Sequence, residues 1–427
     1  MSTVTPIDRR APTPAFLERR LEHYYVDRFS AWPSGEHVMR GRTPRKGDVR
    51  LQSNDYLCMT RNPEVINAHR RATNRTRDAL LMAAVFLDES SEQAAFQRAM
   101  AQFMRCESAV LCQSGWAANV GLLQSMATPE VPVYIDLFAH MSLYEGISAA
   151  SAPFYQFRHN SVSHLEKLIR RHGPGFIVVD SVYSTSGSVA PLSDIVSIGI
   201  ANGCVLIVDE SHSLGTHGPQ GRGLVAELGL EELVHFRTAS LAKSFAGRAG
   251  IIACAERHAE FVKYHSNPAI FSSGLLGHEI VILDETRRQI QASDRERQML
   301  RENAAYLRGA LTALGYNVDA SHSQIISLEP GEEFRTIRLR NALESRGIFG
   351  SVFCTPATPK HRSLIRFTVN SGITREELDR IIRACDEIRV EVRMHEWRST
   401  HRKRRQALRS MKTGDVKRDE GNRALTA

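Results

Sequence analysis

No apolar run in this chain approaches the 18 or more residues that a helix needs to cross a membrane, so a helical membrane protein is excluded. The first residues, Met1-Ser2-Thr3-Val4-Thr5-Pro6, lack the basic-then-apolar pattern of a secretory signal, and a cytoplasmic protein is expected. The seven cysteines are odd in number, scattered and without a C-x-x-C pair. That pattern argues against a disulfide framework and against a zinc site, and no metal is expected. No internal repeat is visible, and no low-complexity segment precedes the C-terminal tail. Most of the chain also lacks an excess of either charge. The formal net charge is +8, but Arg398 to Ala427 holds ten Lys/Arg against three acids, Asp415, Asp419 and Glu420. The tail therefore carries nearly all of the excess. Such a tail is usually a solvated, disordered end, with RNA, DNA or an acidic membrane surface as the sharper alternative. No nucleic-acid partner is expected.

What is present reads as an ordinary globular protein, with 42% hydrophobic and 24% charged residues. A chain of 427 residues exceeds what one core usually serves, so a large and a small domain are expected. Residues 1–60 form an N-terminal segment in which Phe16, Leu17, Leu21, Tyr24 and Tyr25 suit an amphipathic helix. Residues 61–300 alternate helical patterns with apolar runs, the βα pattern of an α/β domain with a mostly parallel sheet. Its clearest strands are Ala109–Cys112, Val133–Ile135, Phe176–Val179, Val205–Val208 and Ile251–Ala253. One long helical stretch, Gly277 to Leu314, is expected to lead into a smaller α+β C-terminal domain, 301–395, followed by the basic tail, 396–427.

Two segments carry the most information. Cys204 to Val208 is an apolar run that ends at Asp209, with His212 three residues on. Val234 to Ala239 ends in Ser240-Leu241-Ala242-Lys243. Ligands of open α/β sheets bind beyond the carboxyl ends of the strands, so a carboxylate, an imidazole and an amine reach one rim. That set suits pyridoxal phosphate, whose aldehyde needs a lysine and whose pyridine nitrogen needs an acid. Lys243 lies among small and apolar residues that would lower its pKa. A surface lysine at a helix start is the plain alternative, as a helix cap is for Asp209 and a loop histidine for His212.

Further candidates follow other strands. Gln113-Ser114-Gly115-Trp116-Ala117-Ala118-Asn119 leaves a strand and opens a helix, as a phosphate site requires. His140, again just past a strand, could stack on a pyridine ring or simply start a helix. Arg366 is a charge inside the apolar run Leu364-Ile365-Arg366-Phe367; it would grip a carboxylate or form a structural ion pair.

In this order the motifs resemble the α-oxoamine synthases, pyridoxal-phosphate enzymes of fold type I that join an amino acid to an acyl-CoA. The matching strings are SNDYL (53–57), QSGWAANVGLL (113–123), AHMSLYEG (139–146), VYSTSGSVAPL (182–192), VDESHSLGTHGPQGRG (208–223), TASLAKSF (238–245), IFSSGLL (270–276) and LIRFTVNS (364–371). The phrases FAHMSLYEG, VHFRTASLAKSFAGRAG and FGSVFCTPAT resemble the branch that makes long-chain aminoketone precursors of quorum-sensing autoinducers. The resemblance implies that Lys243 forms the Schiff base and later moves the α-proton. It implies that Asp209 pairs with the pyridine nitrogen, that His212 bonds the ring oxygen and that His140 stacks on the ring. Ser114, Gly115, Trp116 and Ser240 would hold the phosphate, and Ser184 would touch the ring. Ser272 and Ser273 would reach the phosphate of a partner subunit, which implies a homodimer with shared sites. Asn54 and Arg366 would bind the amino-acid carboxylate.

The resemblance further implies a medium- or long-chain acyl-CoA, with S-adenosylmethionine or 2-aminobutyrate as the amino donor. The alternatives are a family member using glycine, alanine or serine, and a non-catalytic pyridoxal-phosphate-binding regulator. One departure stands out. The family usually carries Gly-Thr-His-x-x-His ahead of the helix with Phe96 and Phe103, where this chain has Met82 to Ser90. That counts against 5-aminolevulinate synthase, 2-amino-3-ketobutyrate ligase and 8-amino-7-oxononanoate synthase. Val85, Phe86 and Leu87 are expected there to line an acyl-chain pocket, with plain core packing as the alternative.

Overall fold

The structure is a computed structural model, and it describes residues 13–30, 37–73 and 82–401. Residues 1–12 and most of the basic tail, 402–427, lie outside the described residues. Eleven strands are present among those described: β1 (Val49–Leu51), β2 (Ser108–Cys112), β3 (Val133–Asp136), β4 (Phe154–Phe157), β5 (Phe176–Asp180), β6 (Val205–Asp209), β7 (Phe236–Ser240), β8 (Gly250–Cys254), β9 (Ile325–Gly331), β10 (Ile348–Phe353) and β11 (Ser363–Thr368).

Seven of them form the large sheet, ordered β2-β8-β7-β6-β5-β3-β4. The run from β7 to β4 is parallel, and β8 pairs antiparallel with both neighbours. Strands buried on both faces read as continuous apolar runs, which is why β5 and β6 stand out in the sequence. On β6, Leu206 and Val208 pack into one core layer and Ile207 into the other, as a period of two demands. Asp180 and Asp209 are register partners at the ends of β5 and β6, so the sheet's own pairing brings two carboxylates to one edge.

The smaller sheet is ordered β1-β10-β11-β9. Its first strand comes from the N-terminal segment and pairs parallel with β10, Val49 opposite Ile348. The expected long helix is two helices, Gly277–Ala292 and Asp294–Ala313, broken at Ser293. Arg297 supports the break: its buried guanidinium donates to the Ile290 carbonyl at 2.6 Å, which also accepts the Ser293 N–H at 3.1 Å. At the other end the packed chain runs on past 396. Trp397 is fully buried against Tyr316, and the last described helical residues reach His401.

Candidate active site

The large sheet delivers its polar residues to one rim. Asp209 closes β6 and is buried. Its Oδ2 accepts from Asn119 Nδ2 at 2.6 Å and its Oδ1 from the Ser211 backbone N–H at 2.8 Å. His212, in the turn that follows, is buried, with Nδ1 2.6 Å from the Tyr56 hydroxyl. Burial pushes this imidazole well below its ordinary range, and the positive charges of Lys243 and Arg366 add to the effect.

Lys243 lies three residues beyond β7, half-buried. Burial lowers its pKa, the nearby Arg366 lowers it further and Asp209 opposes both. That favours a neutral amine at lower pH than a free lysine allows. His140 is the N-cap of helix Met141–Ala149, where its Nδ1 accepts from the Ser142 backbone. Burial holds it below its usual pKa against the pull of Asp209, and Lys243 pushes the same way as burial. Its backbone N–H donates to Asp180 at 3.1 Å. Burial raises the Asp180 carboxyl well above its usual range, and the charge of Asp209 raises it further.

The expected phosphate turn is present. Ser114 caps helix Gly115–Met126, accepting from Ala117 N–H at 3.0 Å. Gly115 lies directly against Ser240, whose own N–H donates to Ser211 Oγ at 2.8 Å. Trp116, 49% exposed, is edge-on to His140 with ring centres 6.1 Å apart.

The smaller sheet contributes Arg366 from β11. Its Nη1 donates to the Ser184 carbonyl at 2.9 Å and its Nη2 to Asn54 Oδ1 at 3.3 Å, while the guanidinium covers Phe353 at 4.6 Å. The Nε of Arg366 is buried without a partner. Thus Asn54, Ser184, Arg366, Lys243, Asp209, His212, His140, Ser114, Gly115, Trp116 and Ser240 gather in one chain. Ser272 and Ser273 do not join them through their hydroxyls. Ser272 Oγ donates to Pro268 O in its own turn, and the Ser273 carbonyl accepts from Gln113 Nε2 at 2.5 Å.

Sequence reasoning gave no role to Tyr56, Asn119, Ser142, Asp180, Ser211 or Thr238. A signal existed for two of them. Asn119 interrupts an apolar helix and Thr238 lies in a buried strand, and a buried polar side chain demands a partner. Here they partner each other.

Beside the cluster opens a cavity of about 930 Å³, lined by His140 and Ser184 on the side of the cluster and by Leu137, Met141, Val318, Phe353, Pro356 and Leu364. Glu329 and Arg362 form an ion pair on its lining. Val85 and Leu87 instead line a second cavity of about 510 Å³ with Gln97, Glu107 and Lys263. Phe86 is 74% exposed, so it is not core in this chain.

The site suits pyridoxal phosphate on structural grounds. A close-approach glycine opens a helix whose N-terminus faces a strand-end serine, a half-buried amine has no ion-pair partner among the described residues, and the Arg366 Nε is left over.

Comparison with known proteins gives the same picture. Residues 46–385 match the aminotransferase class I and II family. The chain is 48% identical over 376 residues to the CAI-1 autoinducer synthase of Vibrio campbellii, covering 88% of this chain and 95% of that protein. It is 30% identical to the serine palmitoyltransferase of Caulobacter vibrioides, covering 83% and 87%. It is 29% identical to the 8-amino-7-oxononanoate synthase of Bacillus pumilus, covering 79% and 87%. The fold matches that of S. paucimobilis serine palmitoyltransferase with bound PLP–myriocin aldimine, with a TM-score of 0.82 at 24% identity over 88% of this chain and 99% of that one.

Proposed function

Since the chain belongs to the aminotransferase class I and II family, as a pyridoxal-phosphate-dependent fold-type-I enzyme of the α-oxoamine synthase kind, we propose that it condenses an acyl-CoA with an amino donor to make an aminoketone precursor of a quorum-sensing signal. The donor in this reading is S-adenosylmethionine or 2-aminobutyrate, and the acyl chain is medium or long. The observation that carries it is the convergence of Lys243 and Asp209, at the rim of the large sheet, with Arg366 from the smaller sheet, beside a largely apolar cavity large enough for an acyl chain.

Pyridoxal phosphate, when bound, supplies an aldehyde for the amine and a ring that takes up an electron pair. The chain does the rest. The N-terminus of helix Gly115–Met126, with Ser114 and Ser240, holds the phosphate. Asp209 would hold the ring nitrogen, and His140 and His212, whose tendency to take up a proton is lowered by desolvation, would contact the cofactor without favouring added positive charge. Arg366 offers its unpartnered Nε to the donor's carboxylate, with Asn54 alongside. Lys243 takes the α-proton. The new carbon–carbon bond forms at the thioester carbonyl, CoA leaves, and loss of carbon dioxide gives the α-aminoketone. The cavity seats the acyl chain along its apolar wall.

The working unit in this reading is a homodimer. Phe86 and Phe271 are 74% and 80% exposed, and a second copy would cover them and bring in Ser272 and Ser273.

The test is a product assay by mass spectrometry with pyridoxal phosphate, acyl-CoAs of graded length and one donor at a time. A long-chain aminoketone from S-adenosylmethionine or 2-aminobutyrate, with CoA release, supports the reading. Product only from glycine, alanine or serine moves the protein to another branch, and no CoA release with any pair overturns it.

A further inference from the structure

We propose that Asn119 is a positioning residue: its amide fixes the Asp209 carboxylate and, through Ser142, sets His140 as a neutral imidazole with its proton on Nε2. The inference rests on the pyridoxal-phosphate reading of the site. It concerns a side chain that lies beyond the phosphate turn and is only 2% exposed.

The partners around Asn119 set the direction of each hydrogen bond in the chain from Asp209 to His140. Asn119 Nδ2 has two protons and both are used, one on Asp209 Oδ2 at 2.6 Å and one on Ser142 Oγ at 2.9 Å. Its Oδ1 accepts from Thr238 Oγ1 at 2.6 Å. Turning the amide over would set its oxygen against the Asp209 carboxylate, acceptor facing acceptor. Ser142 Oγ therefore accepts from Asn119 and has its own proton for His140 Nδ1, 2.7 Å away. The Ser142 backbone N–H points at the same nitrogen from 3.3 Å. Two donors on Nδ1 leave the ring proton to Nε2.

The charged and titratable groups facing His140 are Asp209 from β6, His212 from the turn after β6, Lys243 from the turn after β7 and Asp180 from β5, the last through the His140 backbone. With Asn119 on one oxygen and the Ser211 N–H on the other, Asp209 has a single orientation. Its remaining acceptor capacity is free for a pyridine N–H. One amide thus serves both of the groups that bracket the cofactor ring, and a neutral His140 can lie on a protonated ring without like-charge repulsion.

Three variants separate the links. Asn119→Ala cuts both branches, Thr238→Val removes the donor that orients the amide while keeping shape, and Ser142→Ala cuts only the branch to His140. For each, pyridoxal phosphate is titrated into the apo-protein, and the pH midpoint of the visible absorbance is read on the substrate-free holoenzyme. Melting temperature reports folding. Asn119→Ala should weaken cofactor binding by about tenfold to a hundredfold, the range for one hydrogen bond to a charged group, and should move the midpoint. Thr238→Val should move both in the same direction by less, and Ser142→Ala should move mainly the midpoint. A folded Asn119→Ala or Thr238→Val protein with wild-type affinity and midpoint overturns the inference. So does an affinity loss with the midpoint fixed in every variant, because packing alone would produce it. If Asn119→Ala does not fold, the other two variants decide. A wild-type protein that takes up no pyridoxal phosphate would sink the site reading itself, an outcome distinct from these.

Discussion

Gly115 opens a helix, Ser240 closes a strand, and a Cβ placed on Gly115 would lie 2.5 Å from Ser240 Cβ and 2.8 Å from its Cα. The close approach is what lets a helix N-terminus and a strand-end hydroxyl serve one anion. Gly115→Ala should therefore cost about 1–3 kcal/mol of stability, as overpacking does, and weaken pyridoxal-phosphate binding. Thermal melts and cofactor titration check both. A variant with unchanged affinity would separate this contact from the phosphate site.

Lys243→Ala should abolish the visible absorbance of the cofactor-loaded protein together with its activity. If both survived, the amine would be misassigned.

Arg366→Gln should raise the KM for the amino donor about tenfold to a hundredfold, the range for a hydrogen bond to a charged group, while leaving the visible band in place. Because Arg366 lowers the Lys243 pKa, its loss should also move the alkaline-going limb of the activity profile to higher pH. Activity against pH at saturating donor is the measurement.

The apo-protein should lose stability as pH falls below about 6.5. Unfolded histidine takes up a proton near 6.5, whereas the buried His212 resists it in the folded chain, so the unfolded chain binds more protons in that window. Asp180 acts in the opposite sense. Its raised folded pKa contributes stability that is lost as pH rises from 3.8 through the folded value. Melting temperature across pH 5 to 8 should slope less steeply in His212→Gln than in the wild type, and equal slopes would count against a histidine origin.

Ala320→Phe should shorten the preferred acyl-CoA, since Ala320 lines the 930 Å³ cavity on an exposed loop that tolerates a larger side chain. Each methylene displaced is worth about 0.8 kcal/mol, roughly a fourfold change in preference. Competition between acyl-CoAs of graded length would reveal it.

Much of this site could be read from the sequence because its residues end buried strands. Asp209 and Lys243 follow apolar runs whose length and composition identify them as strands, and a strand end in a parallel sheet has a known location. Arg366 stood out as a charge within an apolar run. Other features had no such signal. Val49-Arg50-Leu51 is too short to announce a strand of the smaller sheet. The break at Ser293 is accommodated by the Arg297 side chain folding back onto the Ile290 carbonyl, a contact that no hydrophobic period encodes. Tyr56 acquires its role only through His212, remote in sequence, and Ser142 links the nearby His140 to the distant Asn119, which no local period encodes.

The pairing of β1 with β10 bears on how the protein is made. The segment that carries Asn54 and Tyr56 finds its sheet partner about 300 residues later in the chain. At a synthesis rate of about 5–20 residues per second, the early strand waits roughly 15–60 seconds on the ribosome for Ile348 to emerge. Through that interval the large sheet can close with Asp209 and Lys243 in place, but the clamp of Asn54 and Arg366 has no framework. The carboxylate clamp therefore forms later in synthesis than the rim that carries Asp209 and Lys243.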